Sequence, residues 1–253
     1  MEQVEQPLGE RHAVVTGGGK GIGASVALQL SRLGARVTVL GRDTDALAAT
    51  AATLGPEARW ATCDVADEAQ VTEVFASLGA VDILVNNAGV AASAPIGRTS
   101  LAEWDHQLRV NATGPFLCTR AVLDPMRERG WGRVITVASV AGLRGAPYVS
   151  AYVASKHAAV GLVRAAAAEV AGTGVTVNAV CPAYVRTEMT ERTIANIVER
   201  TGRSEAEATA ALIGSGGLGR LIEPEEVADA VAWLAAERAG AVNGEVIVID
   251  GGG

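Results

Sequence analysis

Seven short apolar runs, at 12 to 16, 36 to 40, 58 to 62, 81 to 86, 132 to 138, 174 to 180 and 245 to 249, recur along this chain with alanine-rich stretches between most of them. The runs read as strands and the stretches as helices. Strand and helix in alternation specify a parallel sheet covered by helices on both faces, so the spacing predicts a doubly wound α/β fold. At 253 residues, 49% hydrophobic and 19% charged, the chain can bury one sizeable core, and no linker rich in Pro, Ser or charge divides it. A single domain over 1–253 is expected, with no shorter internal repeat. The longest interruption, 185 to 222, holds the helix-like segments TERTIANIVERTG and SEAEATAALIG and ends in GSGGLGR.

Charge and cysteine usage exclude several classes of function. A net charge of −7 offers no basic field for nucleic acid or an anionic membrane. The polar start MEQVEQPLGERH has no basic region followed by an apolar core, and charges such as Arg164 and Glu169 break the apolar stretches. A cytoplasmic protein without a membrane span is the expectation. Cys63, Cys118 and Cys181 are odd in number and lack a CxxC, so they read as reduced core residues; His12, His106 and His157 show no metal-ligand spacing. No metal is expected.

Residues 13 to 23 read AVVTGGGKGIG, a β-branched strand followed by a glycine turn, and Ala24 to Leu33 continue as an amphipathic helix. Gly17, Gly21 and Gly23 form TGxxxGIG directly between the two. Glycines in that position let the backbone approach a pyrophosphate that the helix N-terminus faces. The fold expectation sharpens accordingly to a Rossmann sheet that binds a dinucleotide.

Tyr152 and Lys156, in YVASK, stand four residues apart and share one face of a helix. An ammonium one turn from a phenol favours the phenolate, which suits the pair to proton exchange with a substrate oxygen. Ser139 ends the apolar run of VITVASVAG, where a hydroxyl at a strand's carboxyl end can meet a ligand.

TGGGKGIG, NNAG at 86 to 89, Asn111, Ser139 and YVASK follow one another in an order and spacing that resemble the short-chain dehydrogenase/reductase family, in its compact branch. VNAVCPAYVRTEM at 177 to 189 and the terminal VIVIDGGG extend the likeness over nearly the whole chain, which is most similar to 3-oxoacyl thioester and polyketide ketoreductases. The resemblance implies a seven-stranded sheet, a substrate lid at about 185–222 and hydride transfer between a nicotinamide dinucleotide and a carbonyl or alcohol. It implies Tyr152 as the acid and Ser139 as the group that positions the carbonyl. Lys156 would lower the Tyr152 pKa and hold the nicotinamide ribose, and Asn111 would support Lys156 through a water. Gly17, Gly19, Lys20, Gly21, Ile22 and Gly23 would line the pyrophosphate, and Asp64 with Val65 the adenine. Asn87, Ala88 and Gly89 would form the cofactor-side loop, with Pro182, Val185 and Thr187 at the nicotinamide; a helix N-cap is the alternative reading of Thr187. Ala183 departs from the family's common Pro-Gly, which predicts narrower backbone freedom there.

Cofactor choice is read at the end of the second strand. An acid there selects NAD, whereas an arginine favours the extra phosphate of NADP. Here Gly41 stands where the acid would be, Arg42 follows, and Lys20 supplies a second cation. NADP(H) is therefore expected over NAD(H). Arg42 as a solvated strand-end charge and Asp43 as the N-cap of DTDALAATAATL are the alternative readings. Val140, Leu143, Pro147, Tyr148, Tyr184 and Met189 would make a largely apolar substrate pocket, with Arg144 meeting an anionic group of a substrate or carrier, or else lying solvated. The partner is thus a small carbonyl or alcohol, with a thioester on CoA or a carrier protein among the candidates. The leading function is an NADPH-dependent ketoreductase; an NAD-dependent alcohol or 3-hydroxyacyl dehydrogenase and a silent dinucleotide-sensing module are the alternatives. Helical segments at roughly 101 to 129 and 151 to 171 carry more apolar surface than one sheet face covers; the resemblance implies that they pair between subunits and that the last strand with the helix around Ala228 to Ala236 makes a second contact, which gives a homotetramer, the alternative being that these residues complete the monomer's core.

Overall fold

All seven apolar runs form strands: β1 (His12–Thr16), β2 (Arg36–Gly41), β3 (Arg59–Thr62), β4 (Ile83–Asn86), β5 (Gly132–Val137), β6 (Val175–Pro182) and β7 (Val246–Ile249). In this computed structural model, which describes residues 6–214 and 218–252, they pair in parallel in the order β3-β2-β1-β4-β5-β6-β7. Residues 215–217 of the expected loop GSGGLGR and the terminal Gly253 lie outside the described residues. The order reverses between β1 and β4, and in a doubly wound sheet ligands bind in the crevice beyond the carboxyl ends of strands at such a switch point.

Nine α-helices are described: α1 (Gly21–Arg32), α2 (Thr44–Thr53), α3 (Glu68–Leu78), α4 (Leu101–Leu108), α5 (Gly114–Arg129), α6 (Ser150–Glu169), α7 (Glu188–Thr201), α8 (Glu205–Ile213) and α9 (Pro224–Ala235). Side chains alternate across the pleat, so Ala13 and Val15 of β1 join one core while Val14 joins the other. The first core packs β1, β2 and β5 under α1, α2 and α9 through residues such as Leu30, Leu47 and Val231. The second packs the opposite face under α3, α5 and α6 through Phe75, Met126 and Val163. Both faces being covered explains why β4, β5 and β6 are buried along their whole length.

The expected helix at 101 to 129 is interrupted. Residues Arg109–Thr113 form a π-helical turn between α4 and α5, and that extra backbone swings Asn111 inward onto Val90. Helices α7 and α8 carry a small core of their own, Ile194, Ala208 and Leu212 with Ile197 and Val198 against it. The ends of that excursion are pinned together where Val185 bridges Ile222 and Arg186 meets Glu223 at 3.0 Å.

Candidate active site

The glycine turn sits at the switch point because its neighbours leave no space for side chains. A Cβ on Gly23 would stand 2.2 Å from the Gly17 carbonyl oxygen and 2.5 Å from Asn87 Nδ2. Gly17 has φ +63°, and a Cβ there would meet the Ala88 backbone at 2.9 Å. Gly19 is less confined, a Cβ there standing 3.1 Å from Ala46 Cβ. The turn opens α1 at Gly21, with Ile22 half-buried in the first turn. This bare backbone at a helix N-terminus fits the pyrophosphate of a dinucleotide. Asn87, Ala88 and Gly89 form the opposing loop: Asn87 donates to the Thr16 and Gly17 carbonyls at 2.9 and 3.2 Å, and Ala88 N–H donates to Thr16 Oγ1 at 3.0 Å.

Charges around this cradle take partners that the sequence did not announce. Lys20, expected to face a phosphate, pairs with Asp43 at 3.1 Å and Glu188 at 3.7 Å. Asp43 also caps α2 through Ala46 N–H, so the N-cap reading of Asp43 is correct. Arg42 remains largely exposed, with Nη1 4.0 Å from Asp64. Asp64 accepts from Ala66 N–H at 3.0 Å, and Val65 is buried against Gly114. Across the crevice, Pro182 ends β6 beside Ile249, Val185 is buried, and Thr187 caps α7 by accepting from Thr190 N–H. A Cβ on Gly21 would touch Thr187 Cγ2 at 3.2 Å, so the glycine turn and the start of the 185–222 segment face each other closely. Ala183 is not strained: Glu10 and Tyr148 are the residues other than glycine with positive φ among those described.

Ser139, Tyr152, Lys156 and Asn111 converge beyond β4 and β5. Ser139 caps the short turn Val140–Gly142, accepting from Ala141 N–H at 3.1 Å. Lys156 is buried, donates to the Val137 carbonyl at 3.1 Å, and places Nζ 5.7 Å from the Tyr152 ring centroid. Gly89 clears the space between them: a Cβ there would lie 3.3 Å from Asn111 Oδ1 and 3.6 Å from Lys156 Nζ. Asn111 bonds both backbone groups of Val90 and Ser155 Oγ, which holds its side chain on the Lys156 side of the crevice with one lone pair of Oδ1 still free.

Burial dominates the titration of the pair. Burial raises the Tyr152 phenol above its ordinary value, outweighing the hydroxyl of Ser139, whose hydrogen bonding draws it down; Tyr184 and Cys181 push it further up. Burial also lowers Lys156 itself, to about 8.

On the open side, Leu143, Tyr148, Tyr184 and Met189 are exposed apolar side chains, and Val140 and Pro147 lie with Leu143 and Tyr148 on the connection between β5 and α6. Tyr184 is near enough to Tyr152 to act on its charge. Tyr148, at φ +66°, accepts from Ala94 N–H at 2.8 Å and so ties the loop after β4 to the loop before α6. Arg144, whose side chain is 49% exposed, pairs with Asp250 at 3.7 Å.

Two residues here have little sequence signal. Thr16 Oγ1 accepts from the N–H groups of Asn87 and Ala88, joining the ends of β1 and β4; its one signal is its place before Gly17. Ser155, fully buried, joins Asn111 to α6 and is marked only by lying inside YVASK. The arrangement offers a phenolic acid and a nearby ammonium facing a hydroxyl, at the mouth of a dinucleotide cradle.

A model described as short chain dehydrogenase matches residues 11–197. The chain is 39% identical, over 95% of its length and 92% of the relative's, to the candidate ketoacyl reductase 1 of the granaticin polyketide synthase of Streptomyces violaceoruber. It is 34% identical to a D-beta-hydroxybutyrate dehydrogenase of Rhizobium meliloti, over 95% and 97% of the two chains. A crystal structure of a variant actinorhodin polyketide ketoreductase with NADPH superposes with a TM-score of 0.91 at 36% identity, covering 95% of this chain and 96% of that one.

Proposed function

The chain belongs to the short-chain dehydrogenase family, and on that premise we propose that this oxidoreductase is an NADPH-dependent ketoreductase that turns a 3-oxoacyl thioester or similar apolar ketone into a secondary alcohol. The observation that carries the reading is the turn of α6 that sets Tyr152 beside Lys156 and near Ser139. Gly17, Gly19, Gly21, Ile22 and Gly23, with Asn87 to Gly89, would hold the dinucleotide, which supplies the hydride when bound. Negative charge then builds on the carbonyl oxygen and must be met by donors aimed at it. Ser139 Oγ–H would hold that oxygen, and Tyr152 Oη–H would protonate it. Lys156 would hold the ribose with ammonium protons that Val137 leaves over. Helices α7 and α8, which share a small core of their own, would cover the substrate as the lid, with the exposed rim of Leu143, Tyr148, Tyr184 and Met189 receiving apolar substrate surface.

Arg42 would take the 2′-phosphate of NADP. Arg42→Ala should weaken NADPH binding by about 1.5–3 kcal/mol, the worth of a hydrogen bond to a charged group, and leave NADH nearly unaffected. Fluorescence titration of both proteins with both dinucleotides, beside a ketone panel, tests this; equal losses for NADPH and NADH would remove the phosphate role. The runner-up, an NAD-dependent alcohol or 3-hydroxyacyl dehydrogenase, draws support from the engagement of Lys20 with Asp43 and Glu188, which leaves less positive charge for a phosphate. Tight NADH binding with little NADPH binding by the wild type would promote it.

The assembly we propose is a homotetramer. Phe116 on α5 is exposed at one place, and Trp233 on α9 with Val248 on β7 at another. Two different self-complementary patches per subunit close into a dihedral tetramer. Light scattering at micromolar concentration should give about four times the 25.7 kDa chain mass; twice that mass would leave one interface, and the chain mass alone would sink the proposal.

A further inference from the structure

Ser155 lies between Tyr152 and Lys156 on α6, is fully buried, and has no part in the chemistry described so far. Its hydroxyl donates to the Tyr152 main-chain carbonyl at 2.8 Å and receives Asn111 Nδ2–H at 2.9 Å. The direction of both bonds follows from Val90. Its N–H can meet only the Asn111 oxygen, at 2.9 Å, and its carbonyl only the nitrogen, at 2.8 Å, which fixes the orientation of the amide. The second amide proton then points to Ser155 Oγ. The hydroxyl proton is left for the Tyr152 carbonyl.

A continuous chain of hydrogen bonds therefore runs from the loop after β4, through the π-helical turn, into the one turn of α6 that carries both Tyr152 and Lys156. It lies in the dry interior, where such bonds reinforce one another and a lost partner strands a buried N–H. A serine that bonds back along its own helix also bends that helix locally. We propose that Ser155 is a positioning residue: by joining Asn111 to the Tyr152 carbonyl, it sets the rotation of this turn of α6 against the β4 loop. That rotation fixes the Tyr152 phenol relative to Ser139 and the Lys156 ammonium relative to the Val137 carbonyl. The inference rests on the reading that Tyr152 and Lys156 carry the reaction.

Small displacements of reacting groups are costly to turnover, up to roughly 10²-fold for 1 Å. Ser155→Ala should lower kcat for NADPH-dependent reduction of ethyl acetoacetate by about 10- to 100-fold, with KM and NADPH affinity changed less than about threefold. The pH profile of kcat should shift by about half a unit or more, because the titratable groups around the phenol, Lys156 on its own helix and Cys181 and Tyr184 from β6 and the loop after it, would stand at new distances. Ser155→Thr, which restores the hydroxyl, should recover most of the rate. Should Ser155→Ala fail to fold by circular dichroism, Ser155→Cys keeps the shape, loses most of the hydrogen bonding and takes its place. Turnover within threefold of wild type with an unmoved pH profile would overturn the proposal, as would a loss that threonine does not recover. Tyr152→Phe measured in parallel separates the premise from the inference. Full activity there removes the premise, whereas an inactive Tyr152→Phe beside a wild-type-like Ser155→Ala removes Ser155 alone.

Discussion

Tyr152→Phe should lower turnover of ketone reduction by at least ~10²-fold, the low end of what a positioned general acid contributes, while NADPH affinity stays within about twofold. The substitution removes the transferable proton and keeps the ring that packs under Lys156. The direction of the pKa shift gives the expectation its force. Burial holds the phenol above its ordinary value, so it remains protonated throughout the neutral range, which is the form that reduction consumes. Oxidation of an alcohol would need the phenolate, and the site without cofactor does not favour it. Stability should change by no more than about 1 kcal/mol, the net worth of the phenol's hydrogen bonding to Ser139. Steady-state rates with a saturating ketone decide the matter, and turnover near wild type would take Tyr152 out of the mechanism.

Strand positions were legible because buried parallel strands must be continuous β-branched runs, and VVT, VTVL, ILV, VITV and VTVNAV admit little else. The glycine turn was legible for a steric reason: positions such as Gly23 accept no side chain, so the residue type itself reports the contact. The π-helical turn was not legible. RVNATG sits in a helical pattern, and only Val90, distant in sequence, gives Asn111 a reason to turn inward. Hydroxyls such as Thr16 and Ser155 were silent for the same reason, since a small polar residue inside a motif reads as filler until its partners are known.

Long charged side chains were the least legible part of the site. Lys20 reads from its position as a ligand contact and Arg144 as either a ligand contact or a solvated charge, and without a ligand a flexible cation takes whichever carboxylate the fold brings within reach. For Lys20 those are Asp43 on the same side of the crevice and Glu188 on the other; for Arg144 it is Asp250, just beyond the last strand. Exposed pairs of this kind contribute little stability, so a bound phosphate could exchange partners with them at small cost. The two cations near the cradle thus differ in kind: Arg42 is only 4.0 Å from its nearest acid and mostly exposed, whereas Lys20 is held by two carboxylates.

Lys156→Met should have the second large effect, and its sign reverses between activity and stability. Turnover and NADPH affinity should both fall, because the ammonium has two proposed tasks. Stability of the cofactor-free protein should rise at pH 7. Burial lowers the folded-state pKa from 10.5 to about 8, the Cys181 thiol offsetting only part of the loss. Below pH 8 the amine is protonated in both states, and the fold bears the full cost of burying the charge. Between pH 8 and 10.5 the unfolded chain binds a proton that the folded chain has released, so wild-type stability rises with pH across that window. Above 10.5 the amine is neutral in both states and the cost has gone. The interval of 10.5 − 8 = 2.5 units corresponds to about 3 kcal/mol at 1.36 kcal/mol per unit. Loss of the hydrogen bond to Val137 returns roughly 1 kcal/mol of that, leaving the variant more stable by about 2 kcal/mol at pH 7 and no more stable than wild type at pH 10.5. Urea midpoints of both proteins across this range provide the check, and a difference that stays constant from pH 7 to 10.5 would show that Lys156 carries no buried charge.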